Sequence, residues 1–345
     1  DNTGVEVYGT IFSFEPSPHQ PGLLWAGSDD GLVHLTRDGG KTWTDVTPNG
    51  MPEWATVGGI EASRFDDGVA YVVADRHRLD DESPYLWKTS DHGKSWTRLG
   101  KDLDPEVYLK VVREDSVVPG LLYLGTERGV LFSRDDGAQF ESLRLDMPTV
   151  AVVDLAVTEH DLVVGTLGRS VYILDDLTAV RTTTSEIVKA DAHLYAPPPA
   201  IAWYLPGKWS GPLGSSAGAG KNPPTGAMIT YRLGEAFEDD ITLEIVDADG
   251  AVLRRMSSEP KPRYVPEGHP NDDPDDEHEP ELSKDAGINR ASWDLRLDES
   301  RWVEGAISEY GAVPGPTALP GAYTVRLTVG ERVLEQPLRV EPDPR

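Results

Sequence analysis

The sequence predicts an all-β chain: an incomplete β-propeller of three to four blades, a Pro/Gly-rich connector and a β-sandwich. Three observations carry that expectation. Residues 1–180 read as short apolar runs of four to seven residues between Gly/Asp turns, with almost no stretch of helical period. Within them a turn motif recurs, its aspartates Asp38, Asp91 and Asp135 lying 53 and 44 residues apart, the length of one four-stranded blade. Much later, Tyr323, Val325, Leu327 and Val329 alternate strictly with polar residues, which marks a strand with one buried face.

Composition narrows the possible partners. The 345 residues include 38% hydrophobic side chains, enough for at least one sizeable core and, by length, two domains. Lys and Arg number 32 against 59 Asp and Glu, a formal charge of −27. Nucleic acid and anionic membrane are therefore excluded as partners, since phosphates and headgroups would be repelled. Acidity on this scale suits a salt-adapted or calcium-rich extracellular setting, because carboxylates hold water where charge is screened. With no cysteine, disulfide scaffolds, thiolate zinc sites and Cys nucleophiles are ruled out. No apolar run is long enough for a transmembrane helix, and the first residues do not read as a signal peptide.

The motif is Thr36-Arg37-Asp38-Gly39-Gly40-Lys41-Thr42-Trp43, then Thr89-Ser90-Asp91-His92-Gly93-Lys94-Ser95-Trp96, then Ser133-Arg134-Asp135-Asp136-Gly137-Ala138-Gln139-Phe140. Each copy follows two strand-like runs: 23–27 with 32–35, 70–74 with 85–88, and 121–125 with 130–132. A fourth set, 153–157, 162–165 and 170–174, ends at Asp175-Asp176 without the motif. An Asp that accepts backbone N–H groups, a Gly that permits positive φ and an aromatic packed beneath together fasten the third strand of a blade to the fourth. Asp38, Gly40, Trp43, Asp91, Gly93, Trp96, Asp135, Gly137 and Phe140 are accordingly structural residues.

This pattern, Ser/Thr-x-Asp-x-Gly-x-x-Trp, resembles the Asp-box or bacterial neuraminidase (BNR) repeat of sialidases, sortilin-type receptors and two-propeller xyloglucan hydrolases. Asp75 to Asp81, Gly168 to Asp176 and Asn289 to Arg296 resemble the C-terminal part of large bacterial glycosyl-hydrolase-like repeat proteins, with Leu167 where a histidine is expected. The resemblance implies a partial Asp-box β-propeller at 1–180, a connector at 181–225 and an immunoglobulin-like β-sandwich at 226–345. Pro320 to Val325 carries the last of these. It also implies a secreted or cell-surface protein that acts on or binds polysaccharide, or alternatively a non-catalytic propeller module for protein–protein binding or assembly. Asp-box propellers have six or more blades. A further polypeptide, or a missing N-terminal part, is thus expected to complete the ring.

Antiparallel strands place the second-to-third turns on the face opposite the motif turns. Those turns carry Asp29, then Asp75, Arg76, Asp80 and Asp81 in an insertion longer than a hairpin needs, then Glu127 and Arg128, then Arg169. This charged face is the expected site for a glycan or protein ligand. Glycoside chemistry needs two facing carboxyl groups, for which Asp75, Asp80, Asp81 and Glu127 are the candidates, and no catalytic pair can be chosen from spacing. A sialidase would need an arginine cluster, which Arg76, Arg128 and Arg169 could form, and a Tyr nucleophile that spacing does not assign. No cofactor is expected. Calcium would find oxygen ligands at Asp272, Asp273, Asp275, Asp276, Glu277 and Glu279, where Pro274 breaks any EF-hand spacing and a solvated loop is the simpler reading. His269 and His278 lack a second pair, which argues against zinc. Trp203 and Trp209 could stack on sugars, although packing in the connector is the simpler reading.

Overall fold

The computed structural model describes residues 9–143, 146–203, 224–259, 281–298 and 315–345. The chain divides into two compact units, Asp1–Leu177 and Thr178–Arg345. Both are built almost entirely of antiparallel β-sheet.

Among the described residues the first unit holds four sheets, each a meander whose strands lie in chain order. Blade one comprises Ile11–Pro16, Leu24–Ser28, Val33–Thr36 and Thr44–Asp45. Blade two comprises Thr56–Ala62, Ala70–Arg76, Asp81–Thr89 and Thr97–Arg98. Blade three comprises Leu109–Glu114, Leu122–Thr126, Gly129–Ser133 and Glu141–Ser142. Blade four has three strands, Val152–Val157, Leu162–Thr166 and Val171–Leu174. The first strands of successive blades pack side by side, so they form the inner wall of a propeller arc.

Aliphatic and aromatic side chains fill the spaces between blades. Trp25, Val33, Leu35, Val57, Ile60, Val72 and Trp87 form one buried cluster between blades one and two. Tyr71, Val73, Leu86, Leu109, Val112, Leu122 and Leu124 form the next, between blades two and three. Burying such side chains stabilises by about 1.5–3 kcal/mol each before entropy is counted.

The three motif turns repeat one geometry. Asp38 Oδ1 accepts the N–H groups of Lys41 and Thr42, both at 2.9 Å, and the Thr36 hydroxyl at 2.8 Å. Asp91 Oδ1 accepts Ser95 N–H at 2.9 Å and Thr89 Oγ1–H at 2.8 Å, and Asp135 Oδ1 accepts Gln139 N–H at 2.9 Å and Ser133 Oγ–H at 2.8 Å. Gly40, Gly93 and Gly137 follow at φ of 91°, 79° and 82°, a region costly for any residue with a Cβ.

The aromatics that close the turns behave differently from one another. Trp96 packs edge-on against Trp25 with centroids 6.2 Å apart, and Phe140, like Leu99 and Leu103, packs against the cluster between blades two and three. Both contacts reach back into the preceding blade. Trp43, expected beneath its turn like the others, is 40% exposed, because no described blade precedes blade one.

The second unit starts at Thr178, three residues ahead of the stretch 181–225 read from composition as a connector, and takes in its described part. Two short helices, Thr178–Thr182 and Ser185–Lys189, are followed by strands at Ala192–Leu194 and Ala200–Ala202. The first of these strands joins Ala227–Leu233 and Gly287–Trp293 in a three-stranded sheet. The second runs parallel to Arg332–Pro342 at the edge of a five-stranded sheet that continues through Gly321–Val329, Ile241–Val246 and Val252–Ser257. The two sheets enclose one core containing Tyr231, Trp293, Leu243, Val325, Leu327 and Val329. The alternating face read at 323–329 is thus buried from Val325 onward. Trp209, Trp302, His269, His278 and the acidic run at 271–280 lie outside the described residues.

Candidate functional site

On the face carrying the second-to-third turns, the structure gathers side chains around Tyr108, which immediately precedes the first strand of blade three. Strand two of blade two ends at Asp75 and Arg76. The chain then makes one 3-10 turn over His77–Leu79 and leaves it through Asp80 at φ 57°. That turn folds His77 back, so that its Nδ1 hydrogen-bonds Asp75 Oδ1 and its ring stacks on Tyr108 with centroids 4.5 Å apart. Lys110 donates to Asp75 Oδ2 at 3.1 Å and lies 4.8 Å from the Tyr108 centroid. Asp75 is only 6% exposed, and these two partners compensate its burial.

On the same face, Glu127 pairs with Arg128 at 2.9 Å, and Arg128 reaches Asp104 at 3.3 Å. Burial raises the Glu127 carboxyl above its ordinary range, against the pull of Arg128, with the Glu82 and Asp104 charges adding to it. Its Oε2 is buried without a hydrogen-bond partner. Burial likewise raises the Tyr108 phenol, and the charges of Glu127, Asp75 and Glu82 act in the same direction. Nearby, Asp81 accepts Tyr85 Oη–H at 2.8 Å and Ser83 N–H at 3.1 Å, and pairs with Arg76 at 3.5 Å. Desolvation opposes these bonds at Asp81, but they win and its carboxyl is lowered.

Thus Asp75, Arg76, Asp81, Glu127 and Arg128, named from sequence, share one face with His77, Tyr108 and Lys110, which sequence reasoning missed. The signals were present, a histidine two residues after Asp75 and an aromatic two before a lysine at a blade entrance. Asp29 has a local task instead: its Oδ1 accepts the N–H groups of Gly9 and Thr10 at 2.8 and 2.9 Å. Asp80 is exposed at the exit of the 3-10 turn, and Arg169 is exposed in blade four.

A second polar group lies at the other end of the inner strands, on the side of the motif turns. Glu15, Glu61, Arg113 and Ala156 occupy equivalent places in the four first strands. A cavity of about 560 Å³ is lined by Glu15, Glu61, Arg64, Arg113, Glu114 and Asp154. Arg113 binds Asp154 at 2.9 Å and the Leu155 carbonyl at 2.9 Å, and stands 3.8 Å from Glu61. Burial pushes the Glu61 carboxyl up to about 7, outweighing Arg113, and raises Glu15 as well.

Among the described residues no three metal-ligating side chains are grouped so as to hold an ion. In the second unit Trp203 is exposed and carries the Arg345 guanidinium 5.4 Å from its centroid.

No family model matches the chain. A stretch of 119 residues is 28% identical to an oligoxyloglucan-reducing end-specific xyloglucanase of Emericella nidulans, covering 33% of this chain and 14% of that protein. Among solved structures, the GH74 xyloglucanase of Xanthomonas campestris superposes over 96% of this chain and 46% of its own, at 14% identity and a TM-score of 0.39. YCF48 from Cyanidioschyzon merolae superposes over 48% of this chain and 53% of its own, at 17% identity and a TM-score of 0.36. These superpositions are loose, and the propeller assignment stands on the sheets of the chain itself.

Proposed function

We propose that this chain is part of a secreted or cell-surface propeller protein that binds or acts on polysaccharide through the face around Tyr108. The observation that carries the reading is the convergence there of Asp75, His77, Lys110 and a desolvated Glu127, whose Oε2 has no hydrogen-bond partner. Carboxylates, cations and an aromatic ring together suit a hydroxyl-rich ligand, which needs acceptors, donors and a flat apolar surface. The sequence match to a xyloglucanase supports a glucan as the polymer. In the same reading the motif turns are Asp-boxes, and the second unit, with its three-on-five strand order, is an immunoglobulin-like sandwich.

The test is affinity electrophoresis of the full chain in gels containing xyloglucan, alongside assay of newly formed reducing ends. We expect retardation by the polymer, weakened at least tenfold by Glu127→Gln at unchanged melting temperature. Equal mobility of both proteins with and without xyloglucan, and no reducing ends, would remove the reading. The alternative, a non-catalytic module for protein binding or assembly, is favoured by the exposed aromatics Phe12, Phe14 and Trp43 of blade one.

A further inference from the structure

Blade packing in this chain follows a rule that blade one leaves unfulfilled. Val46, Leu99 and Leu143 are equivalent residues, each donating its N–H to a carbonyl of its blade's third strand, at Val33, Leu86 and Val130. The motif turn of the next blade sits on that residue. A Cβ added at Gly93 would lie 2.8 Å from Val46 Cβ, and Trp96 Nε1 donates to the Val46 carbonyl at 2.7 Å. A Cβ added at Gly137 would lie 2.7 Å from Leu99 Cδ1, and Phe140 packs beside it. Gly40, by contrast, meets only the ring of its own Trp43. Phe12 and Phe14 on the first strand of blade one are 51% and 53% exposed, in addition to Trp43. Three large aromatics left open on one blade are far more than a surface normally shows singly.

We propose that the outer face of blade one, built by Phe12, Phe14 and Trp43, is the docking surface for a further complete four-stranded blade, which presents an aliphatic residue and a free backbone carbonyl at its outer strand to Trp43. The occupant's chemistry is read from the two interfaces already formed, where Val46 supplies both an aliphatic side chain and a carbonyl to Trp96, and Leu99 supplies an aliphatic side chain. A second copy of this chain does not meet the requirement. Its open end is blade four, which among the described residues stops at Leu174 after three strands and has no counterpart of Val46. The proposal stands apart from the polysaccharide reading, since it concerns the blade edge and not the Tyr108 face.

The experiment supplies a blade of the stated kind. Two fusions carry an additional copy of blade two (residues 51–100) or blade three (residues 101–143) joined ahead of the full chain. Oxidation of Trp43 by N-bromosuccinimide is followed by mass spectrometry, with the mass of the unfused chain measured by light scattering. We expect Trp43 to react readily in a monomeric unfused chain and at least tenfold more slowly in one of the fusions. Leu99→Asp in the appended copy of blade two should restore the reactivity if that fusion is the protected one. Undiminished reactivity in both fusions overturns the proposal. Protection of Trp43 in the unfused chain also overturns it, by self-closure if the chain is monomeric and by a second copy if it is dimeric.

Discussion

Trp96 donates its indole N–H to the carbonyl of Val46, a residue of the preceding blade 50 positions earlier in the chain. The bond joins a turn to a neighbouring sheet, so the turn aromatic acts between blades and not only within one. Losing it should therefore loosen two blades together. Trp96→Ala is expected to cost the first unit about 3 kcal/mol, whereas Trp43→Ala, already open to solvent, should stay within about 1 kcal/mol. Urea unfolding of the two variants checks this, and equal losses would contradict it.

The same asymmetry should appear at the glycines. Gly40→Ala meets only the backbone penalty of positive φ, about 1–2 kcal/mol. Gly93→Ala carries that penalty and drives a methyl into Val46 in addition, with overpacking worth about 1–3 kcal/mol more. Melting curves of the pair should separate by several degrees, Gly93→Ala lower.

Glu61 sets a pH dependence. Its carboxyl sits at about 7 in the folded chain against an ordinary 4.5, so folding favours the protonated form. The stabilisation is complete below pH 4.5 and is lost as pH rises through 7, by up to about 3 kcal/mol. Glu61→Gln should flatten that decline and leave the variant more stable than the parent at pH 8. A decline of unchanged size in the variant would assign the titration elsewhere.

The motif aspartates act in the opposite sense. Hydrogen bonds from Thr42 and Ser95, hydroxyl and backbone, hold Asp38 and Asp91 at about 2, below the ordinary 3.8. Their contribution is present above pH 3.8 and is lost as pH falls through 2. Asp91→Ala should lower the melting temperature at pH 6, and the gap to the parent should close at pH 2.

Much of the first unit was legible because its signals are local and repeated. Asp38, Asp91 and Asp135 announce their turns within eight residues, and the flanking apolar runs are the strands. The exposure of Trp43 was not legible, since the same turn motif packs or does not pack according to the neighbour it is given. His77, Tyr108 and Lys110 escaped for a related reason. Lys110 meets Asp75 across 35 residues, and only the stacking of blade three beside blade two brings them together. Ala192–Leu194 and Ala200–Ala202 are too short and too close to prolines to show a period, and they become strands through pairing with residues 231–233 and 340–342.

The backward reach of each turn gives the arc a polarity. A blade is clamped by the one made after it: blade two grips Val46, and blade three grips the Leu99 region. Emerging from a ribosome, every blade would remain unlatched until its successor had folded, so rigidity would trail synthesis by one blade. Shortening the chain from its C-terminal side at a blade boundary should release only the last blade kept. The arc can thus tolerate stepwise loss at one end while its older blades stay locked.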